Sequence, residues 1–113
     1  MAEAGKGRPE LILVADDIAA NVELLLDQLN SLGYDTITAS DGPSAVTAAF
    51  EANPDLCILD VAMPAGDLGV DDRSTGFEVC RRIKRDPRTS RIPVIFVTAL
   101  NDTSDRVRGI EAG

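Results

Sequence analysis

The chain alternates short apolar runs with segments of helical spacing, and this alternation restricts its fold more than any other feature. Four runs rich in aliphatic and β-branched residues are too short to be helices, at positions 11–15, 36–39, 56–59 and 92–97. Apolar residues at helical spacing follow each run, at positions 22–32, 45–50, 77–83 and 107–110. Strands that alternate with helices form a parallel sheet through right-handed crossovers, with helices on both faces. The sequence therefore predicts an α/β fold, a doubly wound parallel sheet of about four β-α units.

Length and composition predict one globular domain after a short leader. The chain has 113 residues, of which 44% are hydrophobic, so it is too short for two cores and too apolar to be disordered. Residues 1–10 hold Gly, Lys, Arg and Pro without periodicity. We therefore expect a flexible leader over residues 1–10 and a single domain over residues 11–113.

The charged residues exclude several classes of function. Lys and Arg total 11, and Asp and Glu total 19, which gives a formal net charge of −8. Because a phosphate backbone needs a basic protein face, direct binding of nucleic acid is not expected. The chain has no His, so its own residues can form neither a triad with an imidazole base nor a His-rich zinc site.

The cysteines and the hydropathy pattern predict a cytoplasmic location. Cys57 and Cys80 lie in apolar stretches and form no CxxC motif, which favours reduced core thiols over a disulfide. No apolar run approaches the roughly 18 residues of a membrane span, and the N-terminus lacks the apolar segment of a signal peptide. We therefore expect no membrane insertion.

Polar side chains follow three of the predicted strands. Asp16 and Asp17 come after the first strand, Asp60 after the third and Thr98 after the fourth. The carboxyl ends of parallel strands share one rim, where ligands of doubly wound folds bind. If the first and third strands are neighbours, the carboxylates lie within a few ångströms, and a hard cation such as Mg²⁺ would offset their repulsion. The alternative is that these acids end the strands only because loops are solvated.

Four segments together resemble the receiver domain of bacterial two-component response regulators. They are ILVADD at 12–17, LDVAMP at 59–64, GFEVCR at 76–81 and PVIFVTA at 93–99. The resemblance runs from about residue 11 to residue 113 and implies a CheY-like, flavodoxin-like fold. The stretches DDIAANV at 16–22 and DGPSA at 41–45 are most similar to receivers attached to cyclic-di-GMP synthases.

The resemblance implies a role for each site residue. Asp60 would accept a phosphoryl group from a sensor histidine kinase or a phosphotransfer protein. Asp16, Asp17 and Asp60 would hold Mg²⁺ together with the backbone carbonyl of Ala62. Thr98 would bind a phosphoryl oxygen and report its arrival. The chain would then be a phosphoacceptor that signals by protein contact, and not an enzyme.

The 113 residues depart from the family pattern at their C-terminal end. Family members continue into a fifth strand with a lysine, a proline and an aromatic switch residue, and then into a fifth helix. Lys6 and Lys84 are the only lysines here, and neither ends a strand. Because a charge-assisted contact would be missing, we expect phosphorylation of Asp60 to be slower by roughly ten- to a thousandfold, unless a partner or second copy lends a basic group.

The same departure predicts self-association. Without a fifth strand, residues 94–97 would form an exposed apolar edge, and the loss of a helix would uncover sheet surface beside it. We therefore expect a homo-oligomer formed through the fourth-strand edge or the uncovered face. The alternative function is a shortened, poorly phosphorylated receiver that serves as a dimerisation or interaction module.

A second departure is an insertion before the third helix. Eleven residues, 65–75, separate Pro64 from Gly76, where most receivers have about three, and four of the eleven are charged: Asp67, Asp71, Asp72 and Arg73. One interpretation is a tolerated surface insertion. The other is a lid or partner-contact loop in which Arg73 replaces the lysine.

Two other α/β families fit the sequence less well. A flavodoxin-like nucleotide binder needs a glycine-rich phosphate loop after the first strand, and residues 16–21 contain no glycine. Phosphatases of the haloacid dehalogenase type place a second Asp two residues after the first, where this chain has Ala62.

Overall fold

The structure, a computed structural model, describes residues 9–97 of the chain. Within this range strands and helices alternate strictly: β1 (Leu11–Ala15), α1 (Ala19–Ser31), β2 (Asp35–Ala39), α2 (Gly42–Ala52), β3 (Leu56–Asp60), α3 (Thr75–Arg85) and β4 (Val94–Val97). One turn of 3-10 helix, Asp72–Ser74, comes directly before α3.

The strands form one parallel sheet in the order β2-β1-β3-β4. β1 therefore lies between β2 and β3, and Ala15 is opposite Ala39 on one side and Leu59 on the other. β3 pairs with β4 as far as Asp60, which lies opposite Val97. The expected parallel α/β architecture is confirmed, and β1 and β3 are the neighbours that the expected carboxylate site required.

Alternate residues of the central strands enter two separate cores, because successive strand side chains point to opposite faces. Leu13 and Leu59 pack on one face with residues of α2 and α3, among them Val79. Val14 and Ile58 pack on the other face, which α1 covers with Leu25, Leu26 and Leu29. Helices therefore cover both faces, as the doubly wound prediction requires.

Local sequence signals account for the helix ends. The Asp41 side chain caps α2 by accepting a hydrogen bond from Ser44 N at 2.8 Å, and Pro43 occupies the first turn, where no intrahelical donor is needed. Asn53 ends α2 in the left-handed conformation with φ of 48°. Gly33 adopts φ of 94° after α1, a conformation that glycine adopts without the Cβ clash of other residues.

The predicted boundaries of the third and fourth strands differ from the structure. The fourth apolar run was expected to be extended from residue 92, but β4 begins at Val94, because Ile92 N donates to Thr89 O at 3.0 Å in a turn. Asp60 was expected just after a strand, but it is the last residue of β3 because it still pairs with Val97. Thr98, residues 1–8 of the expected leader and the helical stretch around 107–110 lie outside the described residues.

The cysteines occupy the core as expected. Cys57 and Cys80 are free and buried. Burial, with a smaller contribution from Cys80, raises the pKa of the Cys57 thiol to about 12, and burial also raises the pKa of Cys80. Both thiols are therefore protonated and unreactive near neutral pH. None of the helices between residues 9 and 97 combines the length and the apolar character needed to cross a bilayer.

Candidate functional site

Asp16, Asp17 and Asp60 converge at the carboxyl ends of two adjacent strands. Asp16 directly follows β1, Asp60 ends β3, and the two strands are paired. One carboxylate oxygen from each of the three residues lies within 4.8 Å of the other two. The structure thus brings together the three acids that the sequence assigned to one rim of the sheet.

The start of α1 holds Asp16 in place. Its Oδ1 accepts a hydrogen bond from Ile18 N at 2.9 Å, and its Oδ2 accepts one from Asn21 Nδ2 at 3.4 Å. The backbone N–H of Asp16 donates to Ala39 O at 3.0 Å, which ties the residue to the end of β2. Because Asp16 is only 4% exposed, these contacts fix the carboxylate beside Asp60.

The charge of Asp60 is poorly compensated by its surroundings. Asp60 is 9% exposed, and its Oδ1 accepts one hydrogen bond, from Ala62 N at 3.3 Å. Burial and then the charges of Asp16 and Asp17 raise the pKa of Asp60 from 3.8 to about 7, against the opposing effect of the Ala62 hydrogen bond. No ion pair within residues 9–97 joins a Lys or Arg side chain to any of the three acids.

The composition of this cluster suits Mg²⁺. Carboxylate and backbone carbonyl oxygens are hard donors, and Mg²⁺ in phosphoryl-transfer sites is held by one or two carboxylates, water and phosphate oxygens. Asp16, Asp17 and Asp60 supply carboxylates whose mutual repulsion a divalent cation would offset. Ala62 is exposed two residues after Asp60 and offers a backbone carbonyl at the same rim. The residues present therefore fit the ion that the resemblance implies.

Gly76 allows the start of α3 to approach the backbone of Asp60. Its N–H donates to Val61 O at 2.8 Å. A Cβ at Gly76 would stand 2.4 Å from Asp60 O and 2.8 Å from Val61 Cα, closer than real Cβ atoms come. Glycine is therefore required at this position for α3 to pack against the end of β3.

An open groove of about 530 Å³ begins at the acidic cluster. It runs between the start of α1 and the end of β2, and its polar lining comprises Asp16, Asp17, Glu23, Thr38, Ser40 and Ser44. Asp17 lies at the exposed side of the cluster, on this groove. The groove therefore exposes the Asp16 and Asp17 side of the cluster to solvent, whereas Asp60 does not line it.

The inserted segment is packed against the domain. Leu68 is buried in the core formed with α2 and α3, and its carbonyl accepts a hydrogen bond from Arg82 Nη2 at 3.1 Å. Arg73 is exposed, and in the described part of the chain it forms no ion pair with the site acids. This geometry gives no support to Arg73 as a replacement for the family lysine. Thr98, the remaining predicted site residue, lies outside the described residues.

Three residues that contact the site backbone or its acids were not assigned roles from the sequence. Asn21 binds Asp16, Gly76 abuts Asp60, and Asp72 accepts a hydrogen bond from Met63 N at 3.0 Å through its backbone carbonyl. Gly76, the second residue of α3, belongs to a segment already linked to the family, so its position was available as a signal. The contact of Asp72 depends on how the insertion folds, and no local pattern indicates it.

Comparison with known proteins agrees with this geometry. The family model of the response regulator receiver domain matches residues 12–113. Response regulator PleD from Caulobacter vibrioides is 47% identical over 102 residues, which cover 90% of this chain and 21% of PleD. The chain spans between 21% and 41% of the length of such curated relatives.

Solved structures show the same fold. One is the receiver domain of sensor histidine kinase PA1611 from Pseudomonas aeruginosa PAO1, which has a magnesium ion coordinated in its active site cleft. It superposes on this chain with a TM-score of 0.75 at 28% sequence identity, and the match covers 93% of this chain and 80% of that one. The receiver domain of a diguanylate cyclase from Desulfovibrio desulfuricans G20 gives a TM-score of 0.70 at 26% identity, over 92% of this chain and 75% of that one. The matched family model and the converging acids agree, and this chain belongs to the response regulator receiver domain family.

Proposed function

We propose that this chain accepts a phosphoryl group on Asp60 from a sensor histidine kinase or a phosphotransfer protein, with Mg²⁺ as cofactor. The observation that carries the proposal is the convergence of the Asp16, Asp17 and Asp60 carboxylates within 4.8 Å at the ends of β1 and β3. A receiver with this cluster has the acceptor and the cation ligands in one place.

The reaction requires an ionised Asp60. One carboxylate oxygen attacks the phosphorus of the donor phosphohistidine, the P–O bond forms as the P–N bond breaks, and the electron pair returns to the imidazole nitrogen. Burial of Asp60 removes water from the acceptor oxygen, and the hydrogen bond from Ala62 N orients the carboxylate.

Asp16, Asp17 and the Ala62 carbonyl would hold the ion next to the acceptor. When bound, Mg²⁺ supplies positive charge to the oxygens of the transferring phosphoryl group, the largest need of such a transition state. The hydrogen bonds from Ile18 N and Asn21 Nδ2 keep Asp16 facing the ion position before the donor arrives. Thr98 completes the proposal as the hydroxyl that bonds a phosphoryl oxygen.

The chain would act as a cytoplasmic signalling component and not as an enzyme. Phosphorylation adds about −1.5 to −2 charges at the rim, and the response passes to partners by protein contact. The net charge of −8 argues against direct contact with nucleic acid.

Incubation with acetyl phosphate and Mg²⁺ followed by intact-mass measurement tests the proposal. We expect a mass gain of one phosphoryl group that requires Mg²⁺ and disappears in Asp60→Asn. Asp67→Asn is the matched control, because Asp67 is exposed and makes no hydrogen bond or ion pair among residues 9–97. A gain that persists in Asp60→Asn, or no gain with any small-molecule donor or kinase, would refute the assignment of Asp60.

A second candidate role is self-association through β4. β4 is the outer strand of the described sheet, and Ile95 on it is 50% exposed. Unpaired strand edges with apolar side chains favour contact with another strand. Sedimentation at tens of micromolar tests this role; a homo-oligomer weakened by Ile95→Lys supports it, and a monomer at these concentrations contradicts it.

A further inference from the structure

One hydrogen bond to a backbone carbonyl of the insertion determines the direction of the Ala62 carbonyl. The Ala62 carbonyl and the Met63 N–H belong to the same peptide unit, and the structure has no cis peptide bond among the described residues. In a planar trans peptide the C=O and N–H groups point in opposite directions. Because Met63 N donates to Asp72 O at 3.0 Å, the Ala62 carbonyl must point away from the insertion.

Asp72 is itself held from two sides. Its side-chain Oδ1 accepts a hydrogen bond from Ala65 N at 2.9 Å. The Thr75 hydroxyl, which is fully buried, lies 3.1 Å from Asp72 O and 2.6 Å from Met63 O. These contacts close a ring of hydrogen bonds between residues 63–65 and residues 72–75. The segment just after the site is therefore braced by residues that follow the insertion.

The outer part of the insertion is anchored independently of this ring. Leu68 is buried in the α2–α3 core, and its backbone carbonyl accepts a hydrogen bond from Arg82 Nη2. Arg82 Nε also donates to Glu78 Oε2 at 2.7 Å. An insertion anchored at Leu68 and at Asp72 has little freedom to open as a lid.

We infer that Asp72 is a positioning residue for the magnesium site. Its backbone carbonyl accepts from Met63 N and so orients the peptide unit that presents the Ala62 carbonyl, and its side chain holds Asp72 in place by accepting from Ala65 N. This inference rests on the proposed function, since it assumes that the Ala62 carbonyl is a cation ligand. On this inference the insertion contributes to the magnesium site. The Ala62 carbonyl then has its direction before any ion binds.

Titration calorimetry with Mg²⁺ on three variants tests the inference. Asp72→Ala removes the side-chain acceptor for Ala65 N and so frees the Asp72 carbonyl, the acceptor of Met63 N, to move. We expect Mg²⁺ affinity to fall about tenfold, as for other partners that orient metal ligands. Asp72→Asn keeps an acceptor oxygen but loses the charge, so it should restore most of the affinity lost in Asp72→Ala. Asp67→Ala removes an equal charge from an exposed position of the same insertion and should bind Mg²⁺ like the unmutated protein.

The outcomes separate this inference from the proposed function. If the unmutated protein binds no Mg²⁺, both fail. If it binds Mg²⁺ and Asp72→Ala binds equally well, only the positioning role fails. All three variants could also lose the same amount of Mg²⁺ affinity, Asp72→Asn and Asp67→Ala as much as Asp72→Ala. That result would show an effect of charge alone and would also overturn the positioning role.

If Asp72→Ala does not fold, amide hydrogen exchange in the unmutated protein tests the inference instead. We expect the Met63 amide to be protected without Mg²⁺ to a degree similar to the Gly76 amide, which bonds Val61 O at 2.8 Å in the same region. Exchange of the Met63 amide at the rate of an unstructured peptide, in protein whose Gly76 amide is protected, would overturn the inference.

Discussion

The carboxylates of Asp16 and Asp60 lie within 4.8 Å of each other although the residues are 44 positions apart in the chain. Pairing of β1 with β3 creates this contact, because it places the carboxyl ends of the two strands side by side. The two acids are buried, and the charge of Asp16 raises the pKa of Asp60. Several measurable properties of the protein depend on this relationship.

Without Mg²⁺, the protein should be less stable at pH 8 than at pH 5. The folded protein keeps a proton on Asp60 up to about pH 7, whereas the unfolded chain loses it near the ordinary value of 3.8. Between these values the folded state binds more protons, so the free energy of unfolding decreases as the pH rises and is level above the folded pKa. Each pKa unit corresponds to roughly 1.4 kcal/mol, and about two units separate pH 5 from the folded pKa, so the decrease between pH 5 and pH 8 is at most about 2.7 kcal/mol.

Urea unfolding at both pH values without metal measures this decrease. Asp60→Asn should lose most of it, because the amide does not ionise. Asp67→Asn should keep it. A stability that rises between pH 5 and pH 7 in the metal-free protein would contradict the burial of an uncompensated Asp60 charge.

Mg²⁺ should stabilise the folded protein through Asp17 as well as through the buried acids. An ion that binds only the folded state adds about 2.7 kcal/mol when its concentration is a hundred times its dissociation constant. Asp17→Asn should reduce the rise in melting temperature caused by Mg²⁺, because Asp17 provides one of the three converging oxygens. The same thermal shift in Asp17→Asn and in the Asp67→Asn control would place the ion elsewhere.

Gly76→Ala should be more destabilising than Gly42→Ala. Both glycines lie in the first turn of a helix, but the Cβ added at Gly76 would meet the backbone of Asp60 and Val61, whereas at Gly42 it would meet the Leu68 and Thr75 side chains. Overpacking costs about 1 to 3 kcal/mol, and the terminal atoms of side chains can shift more readily than backbone atoms, which relieves part of the strain at Gly42. Urea unfolding of the two variants gives the comparison, and equal losses would contradict the close approach at Asp60.

Arg82→Ala should lower stability more than Arg81→Ala. Both arginines bond Glu78, and their hydrogen bonds lower the pKa of that buried carboxyl. Arg82 also donates to the Leu68 carbonyl and is 32% exposed, compared with 59% for Arg81. Loss of the additional hydrogen bond should cost about 1 kcal/mol.

Thermal or urea unfolding distinguishes these two variants under the same conditions. Amide exchange across residues 66–70 should also increase in Arg82→Ala and stay unchanged in Arg81→Ala. Equal destabilisation, with no change at the insertion, would show that Arg82 does not anchor it.

The order of elements was predictable because each element carries its own local signal. The alternating apolar runs, the Asp41 cap and the Asn53 helix end are short-range features, and the structure contains each of them. The beginning of β4 was predicted two residues early because Ile92 is apolar and buried in a turn, which hydropathy alone does not separate from a strand.

The residue types of the sequence, by themselves, determined the parallel α/β class and the family, and they indicated three acids as candidate site residues, because hydrophobic period, turn residues and motifs are local features of neighbouring residues. Strand order cannot be obtained that way, so only the tertiary structure decided that β1 pairs with β3 and that Asp16 meets Asp60. The contact of the insertion with the segment after Asp60 was decided at the same level. Met63 and Asp72 are nine positions apart, and their hydrogen bond exists only because the segment between them folds back and buries Leu68.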